Sequence, residues 1–332
     1  MSATRIIIYG AGMMGQLAAR FATEKGAEIV AFYRRSPVNP EKLQGHPFAH
    51  VPHCTPDIPF GTHKADLVLM THCSTIADLY EPAAAAARAG LDVLTIAEHA
   101  YEPFYDDHEL ERCRTLDALF REHGKSIASV GVQDSFWFSQ PMAFLSAAQK
   151  VRQLIGRCTA DLSLFGYADK PPAYIGISPE AFHEGGHHQV AQQRGTFEVA
   201  LRPLIRALGL QIISLKRENR PVMAEEDISL PQHGIHIRAG TTRGRAEIAT
   251  FTLSNGTEIS GEFHRCYMHA GEQPYNEWLL EGLPTMNMRT DRFQGDAITC
   301  ASLVNRIPDI RTARPGFLSV ADLGPARFYA KV

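Results

Sequence analysis

A carboxylate and an imidazole stand side by side in the stretch LDVLTIAEHAYEPF, residues 91–104. The apolar first half predicts a buried strand, and Glu98 and His99 follow where that strand ends. A buried carboxylate resists ionisation unless a positive partner is close, and a substrate ammonium or iminium would be such a partner. The alternative is that Glu98 caps the N-terminus of a helix or forms a salt bridge on the surface. Glu98 and His99 are therefore candidate substrate-site residues.

A glycine pattern opens the chain, in IYGAGMMG, residues 8–15. It reads G-x-G-x-x-G, follows a predicted strand and opens a predicted helix, which is the context that dinucleotide binding requires. Its glycines allow a tight turn, close approach of a pyrophosphate and close helix–strand packing, and the helix N-terminus faces the phosphates. A turn without a ligand is the alternative. The predicted contacts are Gly10, Gly12, Met13, Met14 and Gly15.

The second predicted strand ends in FYRRSP, where an NAD site would carry an acidic residue for the ribose. Here Arg34, Arg35 and Ser36 stand instead, and they suit a 2′-phosphate. One charge-assisted hydrogen bond contributes about 1.5–3 kcal/mol. The pattern favours NADP(H), leaves NAD(H) possible, and has a solvated basic turn as its alternative.

Two further segments supply candidate cofactor contacts. Thr71, His72 and Ser74 belong to THCST, which ends the next predicted strand beside the glycine turn. Asn305, on the last predicted helix, is a candidate contact to the cofactor or the catalytic loop, and a buried structural asparagine is equally compatible with its position.

The elements that must position these residues alternate between strand and helix over the first 140 residues or so. Near-continuous apolar strands in such an alternation predict a doubly wound parallel sheet covered on both faces, an α/β Rossmann domain. We predict an NADP(H)-binding domain at 1–140, a substrate and dimerisation domain at 141–294, and a C-terminal helix and tail at 295–332 that return to the first domain.

The middle of the chain predicts an α+β domain built on a mostly antiparallel sheet. Residues 248–268 alternate apolar and polar side chains around Asn255-Gly256, which predicts a hairpin with a type I′ turn. Residues 233–244 are expected to form a further strand of that sheet. Residues 295–310 predict one helix that ends before Pro308.

Composition narrows the class of partner. The chain has 332 residues and a net charge of −3, which gives no basis for a nucleic-acid or membrane partner and favours a small molecule. No apolar run approaches the length of a membrane span, and the first residues leave no room for a signal peptide. Six scattered cysteines without a C-x-x-C pair suggest free thiols in a cytoplasmic protein and no metal site.

Three stretches carry a resemblance to a known family. DVLTIAEHAYEP resembles a family segment of the form NVIxxxEExxYP, RPVMAEEDI resembles ePVvAxxdv, and residues 295–323 are similar to GDxATAAxxVNAIPxVxxAxPGLxTMxDL. The chain thereby resembles the dihydrodipicolinate-reductase-like family that includes 2,4-diaminopentanoate dehydrogenase and the native amine dehydrogenases. The resemblance implies NAD(P)H-dependent reductive amination of a ketone or aldehyde with ammonia, and the reverse oxidation of an amine.

The resemblance also implies residue roles. It places the catalytic, amine-handling glutamate at Glu98, with His99 where relatives carry a second acid, and it suggests a homodimer through the second domain's sheet. The chain departs from the family at GVQDSFWF, residues 131–138, which suggests a different pocket wall, although Asp134 could instead cap a helix and Trp137 could be core. The predicted substrate-pocket residues are His99, Gln133, Asp134, Trp137, Tyr167, His187 and His188.

The segment HEGGH, residues 183–187, matches a zinc-peptidase pattern, but its two glycines disfavour the helix that the pattern needs. The same loop lacks the lysine of true dihydrodipicolinate reductases. Two alternatives to an amine dehydrogenase stay open: a reductase of another C=N, C=C or C=O substrate, and a non-catalytic NADPH-binding sensor.

Overall fold

The computed structural model describes residues 3–38, 40–45, 47–105, 108–164, 171–189 and 195–332. The chain divides into two compact units, the first formed by Met1–Ser139 with Asp296–Val332 and the second by Gln140–Gly295. Within the described ranges, no helix is both long and apolar enough to cross a membrane.

The first unit begins with alternating strands and helices. Its elements before the second unit are β1 (Arg5–Tyr9), α1 (Met13–Glu24), β2 (Glu28–Tyr33), β3 (His53–Cys54), β4 (Leu67–Met70), α2 (Ile76–Arg88), β5 (Asp92–Thr95), α3 (Leu110–Glu122), β6 (Ser126–Ser129) and α4 (Val132–Asp134). The strands are almost wholly buried because helices cover the sheet, as the continuous apolar runs predict.

The second unit contains most of the antiparallel structure. Its elements are α5 (Gln140–Leu145), β7 (Lys150–Asp161), α6 (Pro179–Glu184), α7 (Thr196–Ala207), β8 (Ile212–Met223), β9 (Ile228–Leu230), β10 (Ile235–Ile237), β11 (Thr242–Leu253), β12 (Glu258–Cys266), β13 (Tyr275–Leu283) and β14 (Met286–Asp291). The sheet order is β14-β13-β7-β12-β11-β8, with β7 and β12 parallel and the other neighbouring pairs antiparallel. The predicted α+β class with a mostly antiparallel sheet is confirmed.

After the second unit the chain contributes again to the first. The elements there are α8 (Gly295–Asn305), α9 (Ile307–Thr312), β15 (Gly316–Leu318) and α10 (Val320–Leu323). The first unit's sheet then has the order β15-β6-β5-β4-β1-β2-β3, with all neighbouring strands parallel. The doubly wound prediction is confirmed, and β15 adds a strand at the edge that the sequence interpretation did not assign.

Two local predictions are wrong in detail. The hairpin at Asn255-Gly256 is present, but Gly256 alone of the two adopts positive φ, 82°, and a type I′ turn needs both. The segment 233–244 is split, because β10 pairs with β9 in a separate two-stranded sheet and only β11 joins the large sheet. A third local prediction is confirmed, since α8 ends at Asn305, before Pro308. Pro308 itself lies in the first turn of α9, where its missing N–H costs nothing.

Candidate functional site

The glycine turn between β1 and α1 is packed so closely that side chains are excluded. Gly10 adopts φ +111°, and a Cβ there would lie 2.8 Å from the Thr71 Oγ1 atom. A Cβ on Gly15 would lie 1.8 Å from the carbonyl oxygen of Gly10. The Thr71 hydroxyl donates to that same carbonyl at 3.0 Å, which ties the turn to the end of β4. Gly10 and Gly15 therefore serve packing, as the motif predicts.

Gly12 differs from both because the space beside it is open. It precedes α1 as the N-cap without a side-chain cap, and apart from its chain neighbours no atom of the described residues lies within 4 Å of the position that a Cβ would take. A cleft of about 590 Å³ lies over this turn. It is lined by Tyr9, Gly10, Ala11, Gly12, Tyr33, Arg34, Arg35, Ser36, Pro37, Val38, Thr71 and His72. The free N–H groups of the first turn of α1 make this a place where an anionic group can bind.

The carboxyl end of β2 supplies positive charge to the cleft. The Arg34 Nη2 atom lies 3.2 Å from the Nδ1 atom of His53, on the neighbouring strand β3. The Nε atom of Arg34 is buried and has no hydrogen-bond partner among the described residues. Arg35 and Ser36 are exposed. A donor that is buried beside a cleft without an acceptor fits a phosphate group of a bound dinucleotide.

His72 presents an acceptor on the other side of the cleft. Its Nε2 atom lies 3.3 Å from the Asp78 carbonyl, which can only accept, so Nε2 carries the proton. Its ring packs edge-on against Tyr9, with centroids 4.5 Å apart, and Nδ1 is buried with no partner among the described residues. Burial lowers the pKa of His72 despite the Asp78 contact, so the ring is neutral at pH 7 and Nδ1 keeps its lone pair.

The sequence interpretation missed two aromatic residues of the cleft. Tyr9 and Tyr33 end β1 and β2, stack with centroids 5.9 Å apart, and line the opening. A signal for them existed, since both are the last residues of neighbouring parallel strands, at the carboxyl edge where open α/β sheets bind ligands.

The end of β5 is held by backbone contacts from both neighbouring strands. Glu98 and His99 lie in the single helical turn Glu98–Ala100, and both are half-buried. The His99 N–H donates to the Ser74 carbonyl, beyond β4, at 3.0 Å. The buried Ser129 hydroxyl, at the end of β6, donates to the Ala97 carbonyl at 2.7 Å. The backbone that carries Glu98 is therefore fixed at the carboxyl edge of the sheet.

The segment after β6 lies next along that edge. Gly131 adopts φ +142°, and a Cβ there would meet the Gln133 side chain at 3.2 Å. Gln133 is buried, and Trp137 is buried in the π-helical turn Ser135–Ser139 that follows α4. Gln133 and Trp137 thus belong to the strand end beside the one that carries Glu98, since β6 is the neighbour of β5.

Asp134 does not behave as the predicted pocket acid. Its two carboxylate oxygens accept from the Nε and Nη2 atoms of Arg306 at 2.6 and 2.7 Å, and both side chains are 0% exposed. Burial lowers the pKa of Arg306, but its hydrogen bonds to Asp134 and Asp309 outweigh burial and raise that pKa. Arg306 also donates to the carbonyls of Gly324 and Pro325. Asp134 therefore belongs to a fully buried ion pair, and through Arg306 this pair holds the tail at Gly324 and Pro325.

Asn305 is also placed away from the cleft. Its side-chain oxygen accepts from the Lys25 ammonium and from the Tyr329 N–H, so it joins the end of α1 to the C-terminal tail. The 12 residues of α1 separate that end from the glycine turn by about 18 Å. This corrects the predicted cofactor contact, since the oxygen is in use at the wrong end of the helix.

The remaining predicted cofactor contacts lie near the turn but do not line the cleft. Met13 is 65% exposed, and the carbonyl of Met14 accepts from the Cys300 thiol at 3.4 Å. Ser74 is exposed and uses its carbonyl for His99. The cleft therefore unites seven predicted contacts: Gly10, Gly12, Arg34, Arg35, Ser36, Thr71 and His72.

Two predicted pocket residues lie in the second unit. His187 is half-buried and packs near the rings of Tyr174 and Phe182, with centroids 5.9 and 5.7 Å away. His188 is exposed beside His183, with ring centroids 5.0 Å apart. The helix α6 ends at Glu184, so the histidines of HEGGH do not share one helical face. Tyr167 lies outside the described residues.

Comparisons of the sequence with known proteins identify a family and a relative. A family model described as the 2,4-diaminopentanoate dehydrogenase C-terminal domain matches residues 141–330. The 2,4-diaminopentanoate dehydrogenase of Acetoanaerobium sticklandii is 25% identical over 97% of this chain and 94% of its own.

Solved structures share the fold. The amine dehydrogenase from Mycobacterium smegmatis superposes with a TM-score of 0.81 at 24% identity, over 99% of this chain and 98% of that one. The myo-inositol 2-dehydrogenase from Lactobacillus plantarum gives 0.56 at 15% identity, over 97% and 93% of the two chains.

Fold and cleft together define a protein with a Rossmann-type dinucleotide site. The chain belongs to the 2,4-diaminopentanoate dehydrogenase C-terminal domain family. The resemblance drawn from the sequence motifs is confirmed, and the protein is an oxidoreductase of the amine dehydrogenase type.

Proposed function

We propose that this protein is an NADP(H)-dependent amine dehydrogenase that aminates a ketone or aldehyde with ammonia and runs the reverse oxidation. The observation that carries the proposal is the position of Glu98 on the carboxyl edge of the sheet. The strand β5 that precedes Glu98 pairs with β4, which leads into Thr71 and His72 of the cleft. A carboxylate and a dinucleotide cleft therefore lie along one edge, which is where open α/β sheets bind ligands.

The residues present fit the dinucleotide. Gly10 and Gly15 allow the turn to pack, and the open side of Gly12 leaves room for a pyrophosphate at the start of α1. Arg34, with its buried Nε donor, and Arg35 suit a 2′-phosphate, which supports NADP(H) over NAD(H). When bound, the nicotinamide supplies or accepts hydride.

Glu98 performs the proton transfers in this proposal. As a carboxylate it takes a proton from ammonium, and the ammonia that this releases attacks the carbonyl carbon and, after proton transfer from nitrogen to oxygen, gives the carbinolamine. As a carboxylic acid it returns a proton to the hydroxyl of the carbinolamine, so that water leaves and an iminium forms. The regenerated carboxylate then stabilises the iminium charge. In the direction of amine oxidation the same group assists attack of water on the iminium.

The substrate preference follows from the neighbour of Glu98. His99 replaces the second acid that relatives carry, which lowers the local negative charge and favours a less cationic substrate than a diamine. We retain Gln133, Trp137, His187 and His188 as proposed pocket residues. A homodimer formed through the large sheet of the second unit, a substrate and dimerisation role for 141–294, and a cytoplasmic location also remain proposals from the sequence.

The test is the ammonia dependence of NADPH oxidation with a panel of small ketones and aldehydes. We expect turnover that requires ammonium and that is faster with NADPH than with NADH. Reduction that proceeds equally without ammonia would favour the reductase alternative. Tight NADPH binding without turnover on any carbonyl and ammonia pair would favour the sensor.

A further inference from the structure

We propose that His53 is the positioning residue that orients the guanidinium of Arg34 for a 2′-phosphate, and that it thereby sets the preference for NADPH over NADH. The proposal rests on the proposed NADP(H) site and adds the residue that makes the site selective. His53 itself is placed behind Arg34, on β3, and acts through it.

The hydrogen bonds of His53 fix its tautomer. Its Nε2 atom lies 3.2 Å from the carbonyl oxygen of Phe48. A carbonyl only accepts, so Nε2 must carry the proton, and the neutral ring then has its lone pair on Nδ1. That lone pair faces the Nη2 atom of Arg34 at 3.2 Å, and the guanidinium can only donate. The imidazole therefore accepts from Arg34, and only its neutral form can do so.

The ring of His53 is held in place independently of Arg34. It stacks on Phe32 with centroids 5.2 Å apart and an interplanar angle of 9°. The ring of Phe48, whose carbonyl accepts from His53, packs on the same Phe32 at 5.3 Å. The strand β3 is two residues long and pairs His53 with Phe32 and Cys54 with Tyr33. This short strand thus delivers a fixed acceptor to the residue that follows β2.

The contact with His53 determines which donors of Arg34 remain for a ligand. The backbone N–H of Arg34 donates to the Cys54 carbonyl at 3.0 Å, so main chain and side chain are both anchored on β3. One Nη2 hydrogen is directed at His53, while the buried Nε has no partner among the described residues. Arg34 lines the cleft beside Arg35 and Ser36. An arginine that is preorganised in this way loses less conformational freedom when it binds a phosphate.

Two variants distinguish a role of His53 in orienting Arg34 from a role in the stability of the fold. His53→Phe keeps a flat ring against Phe32 and removes both nitrogens. His53→Asn places its side-chain oxygen at the position of Nδ1, which restores the acceptor for Arg34, but it cannot donate to Phe48. Dissociation constants of NADPH and NADH, measured by nucleotide fluorescence titration of the full-length protein, report the selectivity without any turnover.

We expect His53→Phe to weaken NADPH about tenfold, the size of one charge-assisted hydrogen bond, while NADH changes less than about twofold. We expect His53→Asn to bind NADPH within about threefold of the unchanged protein. Equal loss of both nucleotides in His53→Phe would show a structural role and overturn the proposal, as would unchanged selectivity. The proposal also fails if His53→Asn is as weak as His53→Phe, because the Phe48 contact would then be the one that matters.

The same titrations distinguish failure of this inference from failure of the proposed cofactor. If the unchanged protein binds NADH as tightly as NADPH, the proposed NADP(H) site is wrong and His53 has no 2′-phosphate to serve. If the unchanged protein prefers NADPH and His53→Phe keeps that preference, only the role of His53 is wrong.

Discussion

The carboxyl ends of β2 and β5 belong to one parallel sheet but are equipped in opposite ways. Beyond β2 the chain places two arginines, and a side-chain contact with His53 orients one of them. Beyond β5 it places Glu98 on a turn that is fixed through the main chain, by Ser74 and Ser129. β1 and β4, with the glycine turn and Thr71, lie between these two ends.

The difference suggests that the ends of β2 and β5 have separate roles along the edge of the sheet. A site for a fixed anionic group gains from side-chain donors that are oriented in advance. A group that exchanges protons has to change its own charge, so its position is better secured by the backbone than by a permanent cation. We therefore expect changes at β2 to alter nucleotide binding and changes at β5 to alter turnover.

The largest effect is expected at the end of β5. Glu98→Gln should lower kcat for ammonia-dependent NADPH oxidation by roughly 10²–10⁴, the usual contribution of a positioned acid–base group. The dissociation constant of NADPH should stay within about twofold. Glu122→Gln, a change at an exposed carboxylate at the end of α3, is the matched control and should leave both unchanged. Full turnover in Glu98→Gln would refute the catalytic role.

The next effect is expected at the end of β2. Arg34→Ala should weaken NADPH roughly ten- to a hundredfold and NADH by no more than about twofold, because only NADPH carries the 2′-phosphate. At saturating NADPH, kcat should be preserved. Arg20→Ala removes an exposed arginine of α1 and serves as the control in the same titrations. Equal weakening of both nucleotides would mean that Arg34 does not recognise the 2′-phosphate.

The glycine turn lies between the ends of β2 and β5. Changes in it should neither discriminate between NADPH and NADH nor affect turnover alone. Gly12→Ala should weaken NADPH and NADH equally, by roughly tenfold, because the methyl group would occupy open space where the pyrophosphate approaches. Its melting temperature should be unchanged. Gly15→Ala is the counterpart, and calorimetry should show it to be destabilised, since its Cβ would lie 1.8 Å from the Gly10 carbonyl. If Gly12→Ala lowers the melting temperature of the protein, then Gly12 is required for packing and not for the approach of the pyrophosphate.

The smallest effect tests the backbone support of Glu98. Ser129→Ala removes the hydrogen bond to the Ala97 carbonyl, which is worth about 0.5–1.5 kcal/mol, and should lower kcat by about two- to tenfold with NADPH binding unchanged. Ser146→Ala, which removes an exposed hydroxyl in the second unit, is the control. A larger loss of NADPH binding than of kcat would contradict the division between the two strand ends.

Much of the fold was predictable because local periodicity determines it. The alternation of apolar strands with helices predicted the parallel sheet, and the glycines at 10, 12 and 15 predicted its central turn. The type I′ turn was mistaken because Asn-Gly also suits a longer loop in which only the glycine adopts positive φ. The strand β15 was missed because three residues are too few to show a period.

The candidate site was predictable where it follows a strand end and not where it depends on distant partners. Arg34, Thr71 and Glu98 were found because each follows an apolar strand. The Asp134–Arg306 pair joins residues 172 positions apart, and neither spacing nor composition indicates such a contact. His53 was not predicted either, because a strand of two residues shows no period and its hydrogen bond to Arg34 has no sequence signal.

The return of the chain to the first unit has a consequence for its synthesis. The outer edge of β6 is paired by β15, which is made only after the whole second unit has been translated. At usual rates of elongation this interval lasts on the order of ten seconds or more. During that time the nascent sheet has an open strand edge, and open edges pair with other chains. Synthesis of β15, rather than completion of the first 139 residues, therefore marks the earliest point at which this sheet is protected.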